Sequence, residues 1–410
     1  MTLRFDGNFT QQEPIPEEAI ARAVEVMRSG RLHRYNTPAG EVSETTQFEV
    51  EFRDYIGARH CLAVTSGGYA LTTALRAAEL AQGEVVLTNA FTLSPVPGAI
   101  IAAGGRPVLV ETTEDLVIDL GDLTQKIAAQ RARFLLLSHM RGHIVDMDAL
   151  LEICRNAGVA VIEDCAHTMG AAWRGTRSGR HGLAACYSTQ TYKHLNSGEG
   201  GLIISDDAPL MARATVLSGS YMLYGQHLAG PPADAYGRIP LDTPNCSGRM
   251  DNLRAALLRP QLVHLDANCV RWNERYHLVA AEIGEVPGIA LPARPEAEQY
   301  VASSIQFRLP NLSTDAIGYF LSTCQERGVE LKWFGAPAAI AYTSNHHSWQ
   351  YLAPQRLART DRVLATLFDM RLPLTLSLDD CRTIGTIIRE TAQASLKRAL
   401  GRNIPLRDVS

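Results

Sequence analysis

Val161-Ile162-Glu163-Asp164-Cys165-Ala166-His167 is an apolar run that closes on a carboxylate. Ser188-Thr189-Gln190-Thr191-Tyr192-Lys193-His194-Leu195-Asn196-Ser197-Gly198-Glu199-Gly200-Gly201 follows it downstream. The first stretch reads as a buried strand, so Glu163 and Asp164 are expected on opposite faces. The second reads as a short strand that delivers Lys193 just before a glycine-rich turn. Each half alone has an ordinary reading. A carboxylate after a strand caps a helix or binds a metal, and a lysine beside glycines is solvated. Together and in this order, acid and lysine are what pyridoxal 5'-phosphate (PLP) chemistry requires. The lysine amine forms a Schiff base with the cofactor aldehyde, and the aspartate keeps the pyridine nitrogen protonated so that the ring accepts electrons.

A third stretch lies upstream, at Ala63-Val64-Thr65-Ser66-Gly67-Gly68-Tyr69-Ala70-Leu71. Small residues there join an apolar strand to a helix. Free backbone N–H groups and the positive end of the helix dipole make such a join an anion site. The plain reading is Ser66 as an N-cap beside flexible glycines. Ser188 offers a second hydroxyl shortly before Lys193.

The surrounding sequence alternates. Helical periodicity covers Pro16 to Ser29 and Thr46 to Tyr55, with a polar loop from Leu32 to Glu44. Strands are expected at 61–65, 84–88, 107–110, 133–137 and 159–163. Helices are expected at 70–81, 94–103, 121–130 and 147–157. Such alternation predicts an α/β architecture with a large, doubly wound, mostly parallel sheet. Ligands on these sheets gather at the carboxyl ends of strands, and Ser66, Phe91, His139 and Asp164 all follow strand-like runs. Beyond Ser205 the pattern changes. Ser218 to Ser247 is rich in Gly, Pro and Tyr and forms a long irregular connection. A helical run from Asp251 to Val286 follows. Ile305 to Leu309, a helix at 314–327 and Glu330 to Phe334 read as a smaller α+β domain, with further helix at Val363 to Phe368 and Leu378 to Leu400. The expected division is an N-terminal arm with the large domain over 1–255 and a small C-terminal domain over 256–410.

Composition sets limits. A length of 410 residues exceeds one ordinary core. A net charge of -4 gives no electrostatic reason to expect nucleic acid or a membrane surface as partner. The first residues lack a signal-peptide pattern, and no apolar run is long enough to span a bilayer, so a cytoplasmic location is expected. The cysteines form no Cys-x-x-Cys pair, which argues against a zinc knuckle or a disulfide scaffold. Cys61, Cys165 and Cys186 read as buried small hydrophobes. His346-His347 is expected to be an exposed pair whose rings point apart, and no metal site is expected.

These stretches are joined by other ordered features: Phe48 to Gly57, Gly105-Arg106-Pro107-Val108-Leu109-Val110, His139 with Gly142, Asp146 and Met147, Gly170-Ala171, Arg249-Met250 and Gln261-Leu262. With them the chain resembles the DegT/DnrJ/EryC1/StrS family of PLP-dependent aminotransferases, which act mostly on keto sugars and cyclitols. The resemblance runs from about Gly30 to the end. It implies the aspartate aminotransferase-like fold, PLP fold type I. It also implies Lys193 as the Schiff-base lysine and proton shuttle, Asp164 on the pyridinium nitrogen, and His167 near the cofactor's phenolic oxygen. Ser66, Gly67, Gly68 and Ser188 would hold the phosphate. Phe91 or Leu93 would lie against the cofactor face, Phe91 being the aromatic of the two.

Three positions depart from the family pattern. Ser66-Gly67-Gly68 replaces Ser-Gly-Thr, Leu93 replaces an aromatic residue, and Ser247-Gly248-Arg249-Met250 replaces Asn-x-Arg-Met, with Asn245 nearby. Asn245, Ser247 and Arg249 are expected near the cofactor phosphate of a second subunit, in a homodimer with shared sites. Arg34, Tyr35, Tyr221, Tyr224, Trp333 and His347 are candidates for the substrate wall. The expected partners are a small amino donor, L-glutamate or L-glutamine, and a keto acceptor. The rival readings are a non-transaminating PLP enzyme acting on an amino-acid-like substrate, and a non-enzymatic sensor.

Overall fold

The computed structural model describes residues 3–341 and 343–402. The strands of the large sheet are β1 (His60–Val64), β2 (Val85–Asn89), β3 (Arg106–Val110), β4 (Phe134–Ser138), β5 (Ala160–Asp164), β8 (Ala184–Ser188) and β9 (Gly201–Ser205). Between β5 and β8 lie the short β6 (Ala172–Trp173) and β7 (Thr176–Arg177), which form a separate small sheet with β10 (Glu298–Gln299). The large sheet runs in the order β1-β9-β8-β5-β4-β2-β3. Pairing is parallel from β3 through β8, and β9 is antiparallel to both of its neighbours. Segments such as Val85-Val86-Leu87-Thr88-Asn89 are buried at every position, which explains their unbroken apolar character.

The helices of this layer are α1 (Glu17–Ser29), α2 (Glu44–Ile56), α3 (Gly67–Ala77), α4 (Pro95–Ala102), α5 (Leu120–Gln130), α6 (Met147–Asn156) and α7 (Ala208–Ser218). Side-chain caps start most of them. Ser43, Ser66, Asp119, Asp146 and Asp207 each accept a hydrogen bond from a first-turn N–H. Apolar residues pack against both faces of the sheet, in two separate clusters.

The region 220–247 holds short turns and the single-turn α8 (Ile239–Asp242). The run from Asp251 is two helices, α9 (Asn252–Val263) and α10 (Leu265–Gly284), which meet at His264. The change of core falls inside α10. Cys269 and Trp272 pack with the large sheet, whereas Tyr276, Val279 and Ile283 pack with the small domain. Phe5 and Phe9, from the other end of the chain, also lie in the small-domain core.

The small domain has a sheet in the order β11 (Ser304–Arg308), β13 (Leu367–Arg371), β12 (Lys332–Trp333). It is backed by α11 (Thr314–Glu326) and α13 (Leu378–Arg402). The expected helix at Val363 to Phe368 is corrected here. Helix α12 (Ala358–Leu364) ends inside that stretch, and Leu367 opens the central strand. Leu367, Phe368, Asp369 and Met370 are all buried, so the alternation that marks a strand is absent from this stretch. Among the described residues, no helix is long and apolar enough to cross a membrane.

One buried ion pair ties the entry loop to the sheet. Arg34 donates to both Glu49 oxygens, at 2.7 and 2.8 Å, and both side chains are fully buried. Glu49 also accepts from the Ala63 N–H of β1. His227, from the irregular segment, lies 3.1 Å from the same guanidinium. Removing one member leaves the other charged and dry. Glu49→Ala should lower unfolding stability by about 3–5 kcal/mol, read as a drop in denaturant midpoint. A change within ~0.5 kcal/mol, the range of ordinary surface substitutions, would show that the pair is not a tie.

Candidate active site

The register of the sheet brings the polar strand ends to one edge. Ser138 pairs with Asp164, Asp164 with Cys186, and Gly201 with both Ser188 and Val64. A cavity of about 370 Å³ opens at this edge. Asp164, Lys193, His167, Ser66, Gly67, Gly68 and Ser188, read from sequence as one site, all line it.

Asp164 Oδ2 accepts from the Ser138 hydroxyl at 2.9 Å, and Ser138 in turn accepts from Thr92 at 2.8 Å. Its other oxygen accepts from the Ala166 N–H. The carboxylate is thus fixed in orientation and nearly buried. Glu163 faces the other way. It is held by His139 and by the N–H groups of Gly179, His181 and Gly182. Strand alternation therefore separates two adjacent acids, one lining the cavity and one bound in the structure behind it.

Lys193 Nζ lies 2.8 Å from His167 Nε2. The residue is half-buried and lines the cavity. Desolvation pushes its amine down to about 7, with Arg141 and Arg371 acting in the same sense and Asp164 opposing them. Burial, then the neighbouring Lys193, Arg141, His194 and Arg371, hold His167 well below its usual value, so its imidazole is neutral at pH 7. The result is an amine that loses its proton near neutrality beside an uncharged hydrogen-bonding partner.

The anion cradle is built by close approach. A Cβ on Gly67 would stand 2.8 Å from Ser188 Cβ, and one on Gly201 would stand 2.4 Å from Ser66 O. Only glycine lets these segments meet. Gly68 is different: the nearest atom to a Cβ there is Pro95 Cβ at 4.0 Å, so sterics do not demand glycine. Ser66 Oγ caps α3 through the Tyr69 N–H, as its plain reading predicts. A helix N-terminus, small residues, a half-buried lysine and an oriented aspartate in one cavity fit PLP.

Other expected residues lie elsewhere. Phe91 is corrected: it is buried against Phe334, with ring centroids 5.1 Å apart, and Leu93 lines the cavity instead. His139 belongs to Glu163 and not to the cavity. None of the six substrate-wall candidates lines it. Arg34 is bound to Glu49, and the Tyr35 hydroxyl lies 2.7 Å from His227. Tyr224 stacks on Tyr236, Tyr221 is exposed, and Trp333 donates to Ala365 O. His347 does not point away from His346. A 3₁₀ turn capped by Asn345 brings both Nε2 atoms to 2.8 Å from Asp361 Oδ1. Asn245 and Ser247 are exposed and also away from the cavity. Sequence reasoning missed Thr92, Ser138, Tyr192, Arg141 and Arg371, all in the cavity wall. Arg141 had a signal in its place directly after β4. Arg371, at the end of a small-domain strand, had none.

The lowered Lys193 value has a direct consequence. Between about 7 and the ordinary 10.5, the unfolded chain binds a proton at Lys193 that the folded protein does not. Cofactor-free protein should therefore gain stability from this group as pH rises through that window. It should lose that stability as pH falls back through the window, with the loss complete at about 7. Denaturant midpoints of wild type and Lys193→Met, compared from pH 6 to 10, isolate the effect. Parallel pH profiles would contradict the lowered value.

The chain is 34% identical over 256 residues to dTDP-3-amino-3,4,6-trideoxy-alpha-D-glucose transaminase of Streptomyces venezuelae, covering 61% of this chain and 62% of that protein. It is 31% identical over 298 residues to L-glutamine:scyllo-inosose aminotransferase of Streptomyces griseus, covering 70% and 68%. The structure of S. venezuelae DesV superposes with a TM-score of 0.76 at 27% identity, over 92% of this chain and 94% of that one. The family model for the DegT/DnrJ/EryC1/StrS aminotransferases matches residues 14–389. With the PLP fold type I architecture around the Lys193 cavity, this match makes the chain a member of the DegT/DnrJ/EryC1/StrS aminotransferase family.

Proposed function

We propose that this enzyme moves an amino group from L-glutamate or L-glutamine to the carbonyl of a keto sugar, cyclitol or similar biosynthetic intermediate, with PLP as cofactor. One observation carries the reading: Lys193, its amine lowered to about 7, shares a cavity with an oriented Asp164 and a glycine-built anion cradle. The names of the two relatives, a dTDP-amino-sugar transaminase and a glutamine-dependent scyllo-inosose aminotransferase, support this donor and acceptor class.

Bound here, PLP supplies an electron sink for the substrate carbon that exchanges its nitrogen. The N–H groups at the start of α3 and the Ser188 hydroxyl bind phosphate oxygens. Asp164, fixed by Ser138 and Ala166, keeps a proton on the ring nitrogen. Neutral Lys193 Nζ would take the proton from the substrate carbon and return it two bonds away, across the exchanged nitrogen, a task that suits a base titrating near the working pH. His167 holds Nζ in place without adding charge.

The test begins with the covalent anchor. Lys126, Lys193, Lys332 and Lys397 are the lysines of the chain. Borohydride treatment of the PLP-loaded protein should fix the cofactor on the Lys193 peptide, and Lys193→Ala should lose both the adduct and amino transfer. An adduct at Lys332, also half-buried and with its amine lowered to about 8, would overturn the assignment.

We further propose a homodimer whose sites are completed by the segment 218–249. That segment exposes Tyr221, Met222, Leu228 and Leu241, and it holds Tyr221, Met222 and Ser247 at left-handed backbone angles. Strain and exposed apolar area together support a contact arm. Asn245, Ser247 and Arg249 would reach the partner's cradle and replace the hydroxyl missing at Gly68. Mixing Lys193→Ala protomers with Arg249→Ala protomers should restore activity that neither has alone. Absence of recovery despite verified subunit exchange would refute the shared site.

A further inference from the structure

Among the described residues, two groups of three metal-ligating side chains converge. One is His139, Glu163 and Cys165. It is fully buried, and both Glu163 oxygens are already taken by His139 and three backbone N–H groups. The other is His346, His347 and Asp361, and it opens to solvent. None of these three lines the Lys193 cavity.

Neighbouring histidines on an extended segment turn their rings to opposite sides. Here the backbone prevents it. His346–Ser348 is a 3₁₀ turn, and the Asn345 side chain anchors it twice. Its Oδ1 accepts from the His347 N–H, and its Nδ2 donates to Phe334 O. The Trp349 indole donates to Ser344 Oγ across the same turn. The two imidazoles therefore lie side by side, with ring centres 3.9 Å apart. Both Nε2 atoms stand 2.8 Å from a single oxygen, Asp361 Oδ1, in the first turn of α12. The His346 side chain is 3% exposed, against 63% for His347 and 41% for Asp361, so two of the three members are free to adjust.

Two N–H groups aimed at one carboxylate oxygen is a crowded way to tie a turn to a helix. In the other tautomer, each imidazole aims an Nε2 lone pair at the same point. Two imidazoles and a carboxylate are then an ordinary donor set for a divalent transition metal. Bonds of about 2.0–2.2 Å to a tetrahedral ion put donor atoms roughly 3.4 Å apart. The contacts of 2.8 Å would open by roughly half an ångström to admit it, a shift that the exposed His347 and Asp361 can make. The charges agree. Among the described residues, no lysine or arginine pairs with Asp361. Glu111, which accepts from the Thr360 N–H beside it, adds negative potential at His346.

We propose that His346, His347 and Asp361 form a site for one divalent transition-metal ion of the zinc type, which clasps the turn 346–348 to α12. That helix leads into β13, the central strand of the small sheet, so the ion would fasten the turn to the frame of the small domain. Nitrogen donors select against Mg²⁺ and Ca²⁺, which take oxygen. Three protein donors leave one position for water. His347 also lines a cavity of about 340 Å³ with Trp333 and Asn345, which gives the ion a route from solvent. The site goes beyond the amino-transfer reading and does not depend on it.

Calorimetry with Zn²⁺ on tag-free, EDTA-stripped, PLP-loaded protein tests the site. Wild type should bind one more Zn²⁺ per chain than His347→Ala or Asp361→Asn does. Taking the difference removes any ion held by Cys246, the exposed thiol. His347→Gln is the sharper arm, and the exposure of His347 makes the change harmless to folding. A glutamine can still donate to Asp361 but is a poor zinc ligand. It should therefore weaken zinc binding by at least the roughly 10- to 100-fold that loss of an outer-shell partner costs. Co²⁺ should give the intense visible bands of a tetrahedral site in wild type and not in the variants. Zn²⁺ should raise the melting temperature of wild type alone, because the ion binds only the folded chain. Equal zinc binding by wild type and all three variants overturns the site. So does an Asp361→Asn destabilisation of the same size in EDTA and in zinc, the mark of two hydrogen bonds and no ion.

Discussion

Holding a lysine amine out of water is the constraint on which the site depends. A charged ammonium in a protein interior is costly, and the molecule meets that cost by letting the amine shed its proton near pH 7. Asp164 works against this and the two arginines work with it, so the amine sits between opposing charges. His167 is the compatible neighbour because its own burial keeps it neutral. A lysine on the protein surface would stay charged and could serve as neither nucleophile nor base at this pH.

That arrangement needs a rigid frame. Parallel strands place Ser138, Asp164 and Ser188 at one level of the sheet, and the antiparallel β9 brings Gly201 under the start of α3. Within the cradle, close approaches fall at Gly67 and Gly201, where any side chain would separate the elements. The small domain closes the opposite wall through the end of β13 and the Arg141–Asp369 contact. Amine, acid and cradle thus belong to the large sheet, while the wall that carries Arg141 and Arg371 is shared between two cores.

The parts of the site legible in the sequence are those with short-range causes. Strand alternation separated Glu163 from Asp164, and a serine before glycines marked the start of a helix. The order of acid, lysine and glycine turn carried the family resemblance. The misplaced residues have long-range causes. Arg34 is an ordinary loop arginine until Glu49 and His227 close around it. Phe91 follows a strand as a cofactor-facing residue would, yet the apolar surface of Phe334 draws it away. Strand β13 is buried at nearly every position, so no period distinguished it from a helix.

The sequence by itself determined the fold class, the placing of Asp164 at a strand end and the helix start at Ser66, because each is encoded by neighbours along the chain. Only the tertiary structure decided which cations face the amine. Arg141 and Arg371 lie far apart in sequence and on different domains, and they meet only because Asp369 and Tyr192 hold them at the same wall. Charge acts through space with little regard for chain order, so the electrostatic character of the site was set when the two domains packed.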